Sequence, residues 1–282
     1  MAIADLPAGE RLGEAAQQAA LKAIDWLLNQ QSPDGWWCGE LEANVTIQAE
    51  YILLMHFLGL RDDSRWAEVV RYIDLRQQAD GGWPIYYGGP SDLSTTIEAY
   101  AALKLAGRDQ DDPRMRGARE LILAKGSLPQ ARIFTKIWLA LFGEYPWDGT
   151  PVMPPELMFL PPWVPLSIYD FSSWARGTIV PLLIVLTLRP VHELPEYARL
   201  PELRLGFGPR DFALPRPKNP LSWRAAFYGL DQVLRRVRWL PALRRYAERL
   251  AEHWILAHQE ADGSWGGIQP PWVYSLLALN VL

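Results

Sequence analysis

Apolar residues recur at spacings of three and four along most of the chain, with polar and charged positions between them. That is the period of helices that bury one face. The pattern predicts helices at about 14–31, 45–59, 64–79, 93–107, 113–125, 131–142, 171–188, 222–239, 241–259 and 270–282. Alternation with a period of two is scarce, so little strand is expected. The proline-rich stretches 143–170 and 189–221 read as long ordered connections. Helices paired through turns give an all-α fold, either an α-α barrel or a solenoid.

Three of these helices run into near-copies of one short segment: QSPDGWW at 31–37, QADGGW at 78–83 and QEADGSW at 259–265. Glycine takes the left-handed conformation that closes a helix, and Asp-Gly favours a tight turn. A tryptophan just beyond can fold back over the helix end, where glutamine presents an amide. Gln31, Gly35 and Trp36, then Gln78, Gly82 and Trp83, then Gln259, Gly263 and Trp265 are expected to form three such structural corners. Their spacing is irregular, so they are a recurring device and not a tandem repeat.

Composition narrows the function. With 282 residues, 49% of them hydrophobic, the chain can bury one large core or two small ones. Its net charge of −4 argues against a nucleic-acid partner. A lone cysteine, Cys38, rules out a disulfide framework within the chain and suits a reducing compartment. The first residues show no apolar leader. The most apolar run, 179–188, contains Pro181 and falls short of the ~20 residues a bilayer span needs. A soluble or membrane-surface protein is expected. No metal site is read: His253 and His258 do not share a helix face, and His56 and His192 stand alone. That speaks against a zinc-dependent prenyltransferase. Glu50 and Glu98 are the one carboxylate pair a glycosidase could use, and their apolar, arginine-containing context suits that chemistry badly.

The corners resemble the QW motif of triterpene cyclases. The segments NVTIQAEYILL (44–54), GGPSDLSTTIEAYAALK (88–104), RIFTKIWLALFGEYPW (132–147), VMPPELMFLP (152–161), YDFSSWARGTIV (169–180) and DGSWGGIQPPWVYSLLAL (262–279) look like the N-terminal half of bacterial squalene–hopene cyclases, in the same order. The resemblance implies an α-α barrel enzyme of two domains around an apolar cavity, here incomplete. Residues 1–38 would belong to the larger barrel and 39–282 to the smaller, inserted one. It also implies cyclisation of squalene, or a similar long isoprenoid, to hopene or hopanol by a carbocation cascade. No cofactor would take part. The protein would sit peripherally on the cytoplasmic face of the cell membrane, with a homodimer left open. The chain ends inside an apolar helix, which suggests a partial sequence that lacks a C-terminal catalytic domain; the alternative is an isolated, non-catalytic cyclase domain acting as a lipid-binding or scaffold protein, or one half of a split cyclase.

The family's acid lies in an Asp-x-Asp-Asp motif, and Asp109–Asp112 copies its spacing. That match is set aside. It follows Gly107, adjoins Arg108 and precedes Pro113, so it reads as a solvated turn with Asp112 capping the next helix. Ionised aspartates in water cannot protonate an alkene. No catalytic acid is assigned. By resemblance, Phe171, Trp174 and Trp138 line the substrate cavity, with Ile268, Pro270 and Tyr274 as further wall. Aromatic faces suit cations there. Glu50, Glu98, Arg132 and Gln269 correspond to the polar cluster around the water that takes the final proton. A buried ion pair that only fastens helices is the alternative reading of these four.

From Arg216 to Arg245 there are eight basic residues against one acid, Asp231, a net of +7. Trp223, Phe227, Leu230 and Leu234 fall on one helical face within it. Two readings stand: an interfacial membrane helix, or an ordinary amphipathic helix whose stripe packs on the barrel.

Overall fold

The computed structural model describes residues 8–38, 42–61, 63–165, 167–237 and 240–282. Ten α-helices are described: α1 Ala8–Gln30, α2 Thr46–Phe57, α3 Asp63–Leu75, α4 Leu93–Leu105, α5 Pro113–Ala124, α6 Ile133–Leu141, α7 Ser173–Leu188, α8 Trp223–Leu234, α9 Pro241–Ala257 and α10 Gln269–Val281. Strand is limited to one antiparallel pair, β1 Trp83–Pro84 and β2 Ser91–Asp92. Each predicted helix is present, although α8 ends at Leu234, short of the expected 239, and residues 238 and 239 lie outside the described ones. The connections 143–170 and 189–221 are ordered by short 3-10 turns.

Local chemistry sets the helix starts. The Asp92 carboxylate accepts from the Thr95 amide at 2.8 Å and caps α4. Asp112 accepts from the Arg114 amide at 2.8 Å, ahead of Pro113 in the first turn of α5. Ser222 accepts from the Ala225 amide at 3.2 Å and opens α8. Pro181 lies inside α7, which continues through it.

The chain forms two compact units, Met1–Glu42 and Ala43–Leu282. The described part of the first is α1 and its corner. Leu21, Ile24 and Leu28 are exposed along one side of that helix. In the second unit, α2, α4, α7 and α10 hold much of the core, and α4 is buried on every side from Ser94 to Leu105. The more polar helices α3, α5 and α9 pack outside α2, α4 and α7 respectively. Apolar helices inside and amphipathic ones outside are the arrangement of an α-α barrel.

The three corners share one geometry. A glutamine amide donates to the carbonyl of a left-handed glycine four residues on: Gln31 to Gly35 at 2.8 Å, Gln77 to Gly81 at 2.8 Å and Gln259 to Gly263 at 3.1 Å. Two residues past that glycine, an indole N–H reaches back ten positions to a helix carbonyl. The pairs are Trp37 to Leu27 at 2.6 Å, Trp83 to Ile73 at 2.8 Å and Trp265 to Ile255 at 2.8 Å. The register therefore differs from the expected one: Gln77, Gly81 and Trp37 hold the places given to Gln78, Gly82 and Trp36. Gln78 instead donates to the Gly89 carbonyl and accepts from the Ser91 hydroxyl, fastening the β1–β2 loop. Gly82 is wedged against the Ser91 side chain. Trp36 is left exposed.

Candidate functional site

Four elements bring the predicted polar residues together. Glu50 projects from α2 and Glu98 from α4, while Arg132 caps α6 and Gln269 opens α10. Glu98 is 2% exposed. The Thr135 hydroxyl, one turn into α6, donates to its Oε1, and Arg132 Nη2 stands 3.9 Å from the same oxygen. Arg132 also donates to the Thr95 hydroxyl at 3.3 Å and remains partly exposed. The Gln269 amide donates to the Glu50 carboxylate, joining α10 to α2.

Burial dominates the protonation of both acids. It pushes Glu50 up to about 7, against the pull of the Gln269 amide, the Trp138 indole and the Arg132 charge. Glu98 is pushed up to about 8, first by burial and then by the neighbouring Glu50 charge, with Thr135 and Arg132 holding it down. By surface exposure Glu98 is buried and Glu50 only half-buried, so the upward push is firmer for Glu98, and the repulsion between the two disfavours ionising both. The Tyr274 hydroxyl is driven far above its ordinary range by burial and by both glutamates, and stays protonated.

The aromatic candidates divide. Trp138 is fully buried, its ring 6.3 Å from Tyr274 and 6.4 Å from Phe142. It is a core residue beside the cluster. Its N–H lies near enough to Glu50 and Tyr274 to favour their charged forms slightly, yet closes no hydrogen bond. Phe171, Trp174 and Ile268 are exposed, and Pro270 is half-buried. Gly177 of α7 meets Pro271 of α10, where an added Cβ would stand 3.1 Å away. That contact sets Trp174, one turn earlier on α7, near the start of α10.

Two further residues belong here. Thr135 lies on one line with Arg132 and Trp138, three residues from each, a helical spacing visible in the sequence. Phe134 is 47% exposed, with its ring 6.0 Å from Tyr274. An exposed phenylalanine beside a buried polar cluster has no sequence signature. Asp109, Asp111 and Asp112 lie apart in an exposed turn. There Asp109 accepts from the Asp111 amide at 2.8 Å, and Asp112 caps α5 with Arg108 3.7 Å away. An open cleft of about 730 Å³ between the second corner and α5 contains none of the cluster residues.

In α8 the polar side faces inward. Asp231 Oδ1 accepts from the Val152 amide at 2.7 Å, and Arg235 Nε donates to Asp231 Oδ2 at 2.6 Å. Trp223, at 82%, is the most exposed residue of the outer stripe; Phe227, Leu230 and Val233 are exposed beside it, and Leu234 is half-buried. The stripe faces away from the barrel.

Residues 20–282 match the family described as the squalene-hopene cyclase N-terminal domain. The chain is 46% identical over 278 residues to a squalene–hopene cyclase of Alicyclobacillus acidocaldarius, covering 97% of this chain and 43% of that protein. It is 39% identical over 264 residues to a squalene–hopene cyclase of Zymomonas mobilis, covering 93% and 40%. A dammaradiene synthase of Dryopteris crassirhizoma is 35% identical over 268 residues, covering 94% and 39%. The chain thus spans less than half the length of each of these relatives.

Proposed function

The chain belongs to the squalene-hopene cyclase family, as its N-terminal portion, and from that premise we propose that it supplies one wall of a cavity for squalene or a similar long isoprenoid. In this reading, Phe171, Trp174, Ile268, Pro270 and Phe134 present apolar and aromatic surface to a carbocation. Glu50, Glu98, Arg132 and Gln269 hold the water that takes the final proton. The observation that carries the reading is the meeting of buried Glu98 with half-buried Glu50, where Glu98 Oε2 and Trp138 Nε1 have no hydrogen-bond partner among the described residues. Buried groups of that kind are met by ordered water, which donates and accepts in one small volume. A purely structural ion pair fits less well, because Arg132 stands off from Glu98 and is itself partly exposed.

Residues 1–38 belong, on this reading, with the larger barrel, whose contact would cover the apolar side of α1. The outward stripe of α8 lies in the membrane interface, with the protein peripheral on the cytoplasmic face. No described helix is long and apolar enough to cross a membrane. No residue of this chain is assigned as the proton donor. The test is incubation of the chain with squalene, followed by gas chromatography of the products. No pentacyclic product is expected from the chain alone. With Gln269→Ala placed in a complete cyclase carrying this portion, the hopene-to-hopanol ratio changes. An unchanged ratio removes the water-site reading, and product from the chain alone reopens Asp109–Asp112.

A further inference from the structure

We infer that the surface built around α8 is selective for a bilayer rich in anionic phospholipid, and not for apolar surface in general. The inference rests on the interfacial reading of α8 and adds the chemistry of its partner. The structure sorts the arginines of this region into two sets. Arg235 and Arg244 turn inward and are neutralised: Arg235 by Asp231, and Arg244 by Glu156 at 3.0 Å. Arg216, Lys218, Arg224 and Arg236 are exposed and, among the described residues, close no ion pair. Arg236 spends one N–H on the Gln232 carbonyl, which leaves its charge uncompensated.

Arg224 lies on α8 beside the exposed Trp223, Arg216 and Lys218 lie in its lead-in, and Arg236 follows its last turn, so the four bracket in sequence the exposed stripe of Trp223, Phe227 and Leu230. A helix seated in the headgroup region puts its flanking side chains at the depth of the phosphates. Long basic side chains reach that depth while their stems stay on apolar surface.

The distribution of charge makes the selectivity directional. The segment 216–245 carries +7 in a chain of −4, so the remaining residues carry −11. An anionic surface attracts the first and repels the second, which orients α8 toward the bilayer. A neutral bilayer supplies only the apolar part of the attraction. Near an anionic leaflet each basic residue contributes about 1 kcal/mol, and the effect fades within a Debye length.

Vesicle flotation separates the alternatives, since aggregated protein does not float. The chain is mixed with vesicles of phosphatidylcholine, or of phosphatidylcholine with a third phosphatidylglycerol, at low and high salt. Binding roughly tenfold or more tighter to the anionic vesicles is expected at low salt. High salt should erase that difference and leave the weaker, apolar binding in place. The triple variant Arg216→Ser, Lys218→Ser, Arg224→Ser, all on exposed positions, should lose most of the preference and keep its binding to neutral vesicles. Equal binding to both vesicles, or a triple variant that keeps the full preference, overturns the inference while sparing the interfacial reading. Binding to neither vesicle removes the interfacial reading, and the inference falls with it.

Discussion

The Thr135 hydroxyl donates to Oε1 of Glu98, so a side chain of α6 holds an acid of α4 that is 2% exposed. Replacing Thr135 by Val keeps the shape and removes the donor. The hydroxyl favours the charged form of Glu98, so its loss raises the pKa further. Infrared titration of the carboxyl band should show that acid ionising at higher pH in Thr135→Val. The cost in stability should be about 1–2 kcal/mol. A midpoint that does not move would mean that Thr135 leaves the protonation of Glu98 untouched.

Glu98 and Glu50 also give the fold a pH dependence of definite sign. Both titrate higher folded than their ordinary value of 4.5, Glu98 up to about 8 and Glu50 up to about 7. The folded state therefore binds more protons than the unfolded one in that interval, and stability falls as pH rises through it. The penalty is absent below about pH 4.5 and complete above about pH 8. Glu98→Gln keeps an acceptor for Thr135 and cannot ionise. Urea denaturation at pH 5, 7 and 9 should show the variant gaining on the parent as pH rises, by several kcal/mol at the alkaline end and at most about 5. A difference that is constant across pH contradicts this account.

The corners predict a graded pair of glycine substitutions. Gly81 has φ +87°, and an added Cβ would stand 2.4 Å from the Gly117 backbone, which cannot move aside cheaply. Gly263 has φ +86° but open space around it. Gly263→Ala then carries only the left-handed strain, about 1–2 kcal/mol. Gly81→Ala adds a backbone clash and should cost about 3 kcal/mol or more. Similar losses in thermal denaturation for the two variants would remove close α5 packing from the explanation of the second corner.

Those corners also show how far the sequence could be read. The outer helices were legible because burial of one face imposes a helical period, and inner ones such as α4, buried on every side, were legible as apolar segments too long for strands. The corner register was not, because the first two copies double their letters: Trp36-Trp37 in one, Gln77-Gln78 and Gly81-Gly82 in the other. The third copy has single letters and fixes the spacing, with glycine four and tryptophan six residues after Gln259. Carried back, that spacing selects Gln31, Gly35 and Trp37, and then Gln77, Gly81 and Trp83. The convergence of Glu50, Glu98, Arg132 and Gln269 was legible only through family resemblance, because the four lie on separate elements. Whether an aromatic is buried or exposed was not legible from helical spacing alone. Trp138 and Trp174 look alike in sequence, yet one is fully buried and the other is 60% exposed.

Asp231 is the residue on which the seating of α8 depends. Its carboxylate accepts from the Val152 amide and from Arg235, while Trp223, Phe227, Leu230 and Val233 on the far side of the helix are exposed. Asp231→Ala leaves the guanidinium of Arg235 without its carboxylate and a backbone N–H without its acceptor. Breaking a part-buried pair in this way should cost about 2–4 kcal/mol. Because few apolar contacts hold α8, the loss should appear as local opening before global unfolding. Hydrogen exchange should accelerate across 223–234 in Asp231→Ala, while the amides of α4, buried on all sides, keep their protection. Acceleration spread evenly over both helices would show instead that α8 and the barrel core unfold as one unit.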